Sequence, residues 1–312
     1  MNNGPDYSIV IPVYNAQNSI VELCERIKKV FENITSNYEI ILIDDDSKDG
    51  SWEVLKKIHQ NNENVKIIHL MKNYGQHCAT LCGFKQSKGK YVITLDDDLQ
   101  NPPEEIPKIL TVSKQGYWVV FGSYPNKKTD FITKILSKFL QMLIQKICGL
   151  PKTITTSSFS VYHREVINNI IEIKSATPFL PALIADSVSP NKIINVDVMH
   201  NERKIGRSNY NLFSQFKFSL NLIINYSSLP LVTLSIIGFF LSFASFLVSL
   251  SIIINRIIDP SYGLIGWNSM MVAIGLIGGA ILIGMGIIGE YLRRILTEVS
   301  HGQQYVIGEM EL

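Results

Sequence analysis

The 312 residues carry 29 Lys and Arg against 27 Asp and Glu, a net charge of +2, and 46 % of them are hydrophobic. This composition excludes a disordered chain and a small disulfide scaffold, and so even a charge balance gives no support to nucleic-acid binding. The charges are unevenly spread: from Leu229 to Gly289 only Arg256 and Asp259 are charged, which speaks against a purely soluble enzyme.

In chain order, the β-branched run Tyr7–Val13 reads as a strand, and Ile20, Leu23, Ile27 and Val30 then follow helical spacing. Ser19 and Glu22 form a capping-box pattern at that helix start. Tyr38–Ile43 reads as a strand, Ser51–His59 as a helix, Val65–Leu70 as a strand, Gln76–Gln86 as a helix and Tyr91–Leu95 as a strand. Asn101-Pro102-Pro103-Glu104 predicts a helix start, with Asn101 as N-cap and Pro102 in the first turn. Trp118–Gly122 is a fifth strand. This alternation predicts an α/β fold with a Rossmann-like, mainly parallel sheet. Phe131–Ile147 and Leu212–Tyr226 are amphipathic and suit either a membrane surface or the domain core. The uncharged tail predicts transmembrane helices over 229–254 and 264–289, joined as a hairpin. Arg203, Lys204, Arg207 and Lys217 precede it and Arg293 and Arg294 follow, so the positive-inside rule predicts a cytoplasmic N-terminal domain and tail. The expected organisation is a domain over 1–210, a juxtamembrane helix over 211–228, the hairpin, and a tail over 290–312. The alternative for the uncharged segment is a buried hairpin inside a large soluble core.

Ligands of doubly wound sheets sit at the carboxyl ends of the strands. Three runs stand there: Pro12-Val13-Tyr14-Asn15, Asp44-Asp45-Asp46-Ser47 and Asp96-Asp97-Asp98-Leu99-Gln100. Carboxylates converging on one crevice repel and call for a counter-charge, most simply Mg2+ or Mn2+ shared with substrate phosphate. A dinucleotide site would need a GxGxxG and a P-loop a GxxxxGK[ST]; neither is present. Cys24, Cys78, Cys82 and Cys148 lack zinc-site spacing and read as reduced, buried thiols.

The stretches SIVIPVYN (8–15), EIILIDDDSKDGSW (39–52), KNYGQHCATLCGF (72–84), YVITLDDDLQNPPEEIP (91–107), HNERKIGRSNY (200–210) and GEYLRRI (289–295) resemble family-2 glycosyltransferases that charge a polyprenyl phosphate with a sugar. The aminoarabinose-transferase branch is the nearest in flavour, through GQH and DDDLQNPPEEIP. The resemblance implies the GT-A fold and an inverting transfer from a nucleotide sugar, UDP-linked, to undecaprenyl phosphate at the cytoplasmic face of the inner (plasma) membrane. It implies that Pro12, Tyr14 and Asn15 line the nucleotide pocket, that Asp44 accepts from the base beside Asp45, and that Asp97 adjoins the nucleotide. Asp96 and Asp98 match the DxD pair that holds the metal, with Gln100 behind them. Arg203 and Ser208 would approach the diphosphate or the lipid phosphate, so Asp98, Gln100 and Arg203 form the implied catalytic set.

Two departures stand out. Asp46 replaces the family's glycine; if that glycine has a positive φ, Asp is among the least costly replacements. Ser158 stands where many relatives carry an Asp assigned as general base. A phosphate acceptor is already anionic near neutral pH and needs orientation more than deprotonation. Two other classes compete: a non-catalytic scaffold binding nucleotide or lipid, and a processive polysaccharide synthase, for which the QxxRW motif is missing. Gly275 and Gly279, with Ala280 and Gly284, suggest close helix packing, within the hairpin or in a homo-oligomer.

Overall fold

The computed structural model describes residues 4–125, 131–175, 177–201, 223, 227, 229–258, 266–300 and 304–312. The chain divides into two compact units, Met1–Leu212 with His301–Leu312, and Phe213–Ser300.

The first unit is built on strands β1 (Tyr7–Val13), β2 (Tyr38–Asp44), β3 (Val65–Leu70), β4 (Tyr91–Thr94), β5 (Val119–Ser123), β6 (Ser160–His163), β7 (Ile193–Asp197) and β8 (Ile307–Glu311). They form one sheet in the order β7-β5-β6-β4-β1-β2-β3-β8. β4-β1-β2-β3 pair in parallel, as the alternating pattern predicts. β6 runs antiparallel to β4 and β5, and β8 antiparallel to β3, so the sheet is mixed. The helices are α1 (Ile20–Glu32), α2 (Ser51–Gln60), α3 (Gln76–Gln86), α4 (Ile106–Ser113), α5 (Phe131–Cys148), α6 (Arg164–Glu172) and α7 (Leu180–Ser187).

Tyr7, Ile9, Ile11 and Val13 of β1 join Ile40 and Leu42 of β2 in a core with Ile20, Leu23, Ile27 and Phe31 of α1 and Leu55 of α2. Val10 and Ile43 point the other way, toward α3. There a Cβ on Gly83 would lie 2.3 Å from Val10 Cγ1, so glycine is what lets α3 approach the sheet so closely. Burial on both faces explains why β1 reads as an unbroken apolar run.

Two local expectations change. Ser19 makes no side-chain cap; its hydroxyl donates to the Asp97 carbonyl at 2.6 Å, tying α1 to the end of β4. Asn101 is not an N-cap either: a 3-10 turn over Pro103–Glu105 leads into α4, and the Asn101 side chain turns back to Asp96.

The second unit contains α8 (Leu229–Ile258) and α9 (Trp267–Ser300). The expected transmembrane hairpin is overturned here: among the described residues no helix is long and apolar enough to cross a membrane. α9 also runs past the expected end at Gly289, through Glu290, Arg293 and Arg294. The amphipathic segment 212–226 lies outside the described residues save Ile223, as do the side chains of Ile132, Ile135 and Phe139 in α5.

Candidate active site at the carboxyl ends of β1, β2 and β4

Among the described residues, three non-glycine residues have positive φ: Asn15 at 55°, Asp46 at 57° and Leu99 at 61°. Each lies just past the carboxyl end of β1, β2 or β4, which are neighbours in the sheet. Strain concentrated at adjacent strand ends is characteristic of a functional crevice. Asn and Asp tolerate this conformation, so Asp46 replaces glycine at small expense. Leu99 is the costly one, and its side chain is fully buried in the α1 core.

The three strand ends are tied together. Tyr14 N–H donates to Asp97 Oδ2 at 2.9 Å. Asn15 N–H donates to Ser47 Oγ at 2.9 Å, and Asn15 Oδ1 accepts from Lys48 N–H at 2.8 Å. Pro12 sits in register with Ile43, and the Tyr14 ring stands exposed at the rim.

Asp44 is fully buried. Its Oδ2 accepts from His69 Nδ1 at 2.7 Å and from Ser47 N–H at 3.3 Å, while its Oδ1 has no partner. Asp45 accepts from the backbone N–H groups of Tyr74 and Gly75 at 2.7 and 2.8 Å, and so shapes the loop between β3 and α3. Burial raises the Asp45 pKa above the ordinary carboxylate value, against those two hydrogen bonds. Asp46 pairs with Lys48 at 2.6 Å, which lowers its pKa.

The second acidic run is held differently. Asp96 Oδ1 accepts from Gln76 Nε2 at 2.7 Å, and Asp96 Oδ2 accepts from Asn101 Nδ2 at 3.1 Å and from the Ser158 hydroxyl. Tyr124 donates to Asn101 Oδ1 at 2.6 Å and so orients that amide. Asp98 Oδ1 accepts from the Gln100 N–H at 3.1 Å, and the Gln100 carbonyl accepts from Asn201 N–H at 2.9 Å. Burial first, then the Asp98 charge, raises the Asp96 pKa. Burial pushes Asp97 up to about 7, and the charges of Asp96 and Asp98 add to it. His77, beside Gln76, is pushed down to about 4 by burial; its Nδ1 is unpartnered and its ring meets Phe179 edge-on.

Among the described residues no group of three or more His, Cys, Asp and Glu is set to hold a metal ion alone. Mg2+ and Mn2+ commonly take only one or two carboxylates and complete their shell with substrate phosphate and water. Asp96 and Asp98 fit that role: the Asp98 charge adds to burial in raising the Asp96 pKa, and among the described residues neither Asp96 nor Asp97 has a Lys or Arg partner. The structure therefore brings together Pro12, Tyr14, Asn15, Asp44, Asp45, Asp96, Asp97, Asp98 and Gln100. Arg203 and Ser208 lie outside the described residues. The sequence reading missed Gln76, Asn101 and His69; Asn101 was hidden by its resemblance to a helix cap.

The family model for glycosyl transferase family 2 matches residues 8–171. An undecaprenyl-phosphate 4-deoxy-4-formamido-L-arabinose transferase of Serratia proteamaculans is 35 % identical over 308 residues, covering 97 % of this chain and 94 % of its own. The transferase of the same name from Pectobacterium carotovorum is 34 % identical over 302 residues, covering 96 % and 92 %. Among solved structures, Mycobacterium tuberculosis glucosyl-3-phosphoglycerate synthase with phosphoglyceric acid superposes with a TM-score of 0.53 at 16 % identity, over 71 % of this chain and 78 % of that one. Its complex with Mn2+, UDP-glucose and phosphoglyceric acid gives 0.52 at 16 % identity, with the same coverage. At that identity the likeness shows the fold: a GT-A-like α/β fold with a mixed sheet.

Proposed function

Because the chain belongs to glycosyl transferase family 2 and is a glycosyltransferase, we propose that it moves a sugar from a UDP-linked donor to undecaprenyl phosphate, with Mg2+ or Mn2+ held by Asp96 and Asp98. The near-full-length match to undecaprenyl-phosphate transferases carries this reading. Mn2+ and UDP-glucose bound to the solved neighbour support the donor and cofactor classes.

Breaking a sugar–nucleotide bond leaves positive charge at the anomeric carbon and negative charge on the diphosphate. The bound cation would supply charge for those phosphate oxygens. Pro12, Tyr14, Asn15, Asp44 and Asp45 hold the nucleotide end, with the unpartnered Asp44 Oδ1 available to a base N–H. Asp97 fixes Tyr14 through its backbone N–H and sets the nucleotide pocket against the metal pair. Gln100 stands beside Asp98 toward the sugar. Arg203 takes the leaving charge and Ser208 the acceptor phosphate, which attacks in line and inverts the anomeric centre. No general base is needed, since the attacking phosphate is already an anion.

The lipid acceptor places the enzyme at the cytoplasmic face of a membrane. Exposed Phe239, Phe240, Phe243 and Phe246 on α8, with Ile281, Ile283 and Met285 on α9, support contact with lipid. The test offers purified protein undecaprenyl phosphate, Mn2+ or Mg2+, and a panel of nucleotide sugars that includes UDP-4-deoxy-4-formamido-L-arabinose. Mass spectrometry of the lipid fraction should find one sugar phosphodiester. No product across the panel would leave a nucleotide- or lipid-binding scaffold as the better reading.

A further inference from the structure

Ser158 takes the place of a base residue and yet is built into the site. It lies two residues before the start of β6, where Thr94 of β4 pairs in register with Ser160. The Thr94 hydroxyl donates to the Ser158 carbonyl at 2.6 Å, and the neighbouring Phe159 side chain is fully buried. The backbone of Ser158 is thus fixed over the carboxyl end of β4, and its hydroxyl donates to Asp96 Oδ2.

We propose that Ser158 and Gln76 are positioning residues that, with Asn101, hold the Asp96 carboxylate in a cradle of neutral donors turned toward the divalent cation. A carboxylate offers about four acceptor positions, two on each oxygen. Asn101 and Ser158 fill Oδ2, and Gln76 takes one position on Oδ1. Among the described residues one position remains without a partner, on Oδ1. The donors come from three separate segments: the first turn of α3, the loop after β4 and the segment before β6. Together they fix the rotation of the carboxylate before any ligand arrives. Being neutral, they leave its full charge for the cation, which a lysine or arginine at any of the three places would cancel. An aspartate at 158 would instead set a second carboxylate against Oδ2. The absence of an acid at 158 is therefore a feature of how this chain holds Asp96.

The inference rests on the metal reading of Asp96 and Asp98, and the test separates the two. Mn2+ binding to the full-length protein with UDP is measured without turnover, by electron paramagnetic resonance of free Mn2+. Loss of one hydrogen bond to a charged group predicts about tenfold weaker Mn2+ binding in Ser158→Ala, and a similar loss in Gln76→Ala, whose exposed side chain makes misfolding a lesser concern. Ser158→Thr keeps the hydroxyl and should keep most of the affinity; Ser158→Asp should bind worst. In Ser158→Ala the loss should appear mainly as a higher Mn2+ concentration for half-maximal turnover, with kcat the less affected parameter. Unchanged Mn2+ affinity in both alanine variants would overturn the cradle while leaving the metal site standing. Lower kcat at saturating Mn2+ with unchanged affinity would make Ser158 a participant in the chemistry and overturn it too. A wild-type protein that binds no Mn2+ with UDP would overturn the metal reading, and the cradle with it.

Discussion

Asp44-Asp45-Asp46 at the end of β2 and Asp96-Asp97-Asp98 after β4 are the same tripeptide at comparable places in one sheet, and the fold surrounds them with different chemistry. In the first run the outer carboxylates meet basic side chains, His69 at Asp44 and Lys48 at Asp46, while Asp45 is absorbed by two backbone N–H groups. In the second, among the described residues, Asp96 meets only amides and a hydroxyl, and Asp97 accepts from the Tyr14 backbone N–H. His69 pairs with Asp44, whereas His77, next to Gln76 in α3, packs its ring on Phe179 and has an Nδ1 without a partner among the described residues. Identical sequence therefore meets two environments: the first run is tied to basic side chains and loop backbone beside the proposed nucleotide pocket, and Asp96 and Asp97 of the second have no Lys or Arg partner among the described residues.

The largest test of that contrast is Asp98→Asn. A metal-bound leaving group is worth several kcal/mol in the transition state, so kcat/KM should fall by about a thousandfold in a metal-dependent transfer assay. Full activity would end the distinction between the two runs. His69→Leu attacks the first run instead. It leaves the buried Asp44 carboxylate without its 2.7 Å partner, and a hydrogen bond to a charged group contributes about 2 kcal/mol. Denaturant unfolding should show that loss, and KM for the donor should rise while Mn2+ affinity stays near wild type. An equal fall in Mn2+ affinity would merge the two runs into one site.

Much of this was legible in the sequence, because it rests on local rules. The parallel strands β1 to β4 follow from apolar runs between helical periods, and the acidic runs follow from their place at strand ends. The positive φ at Asp46 was readable from its substitution for glycine. The cradle was not, since Gln76, Asn101 and Ser158 are brought to Asp96 only by tertiary packing. Ser19 and Asn101 carry correct capping chemistry, but long-range partners claimed both side chains. β8 was invisible because Ile307–Glu311 has little apolar character and finds its register only on the free edge of β3. The expected hairpin rested on two uncharged segments, and among the described residues no helix is long and apolar enough to cross a membrane.

The smallest expected effect comes from Asp46→Gly, and it sharpens the contrast from the backbone side. At φ 57° the Asp46 backbone lies where glycine is at ease, so the substitution removes strain. It also removes the Lys48 pair, which is exposed and of small worth. The two changes oppose each other, so the melting temperature near neutral pH should scarcely move, while Asp46→Val, β-branched at a positive φ, should lower it. The Lys48 pair holds the folded Asp46 pKa below its unfolded value, so its contribution is present above the ordinary carboxylate range near 3.9 and is lost as pH falls through the folded value. Asp46→Gly should thus lose slightly less stability on acidification than wild type. A marked loss of donor binding in this variant would show that the Asp46 carboxylate itself meets the ligand, beyond the nucleotide contacts proposed for Asp44 and Asp45.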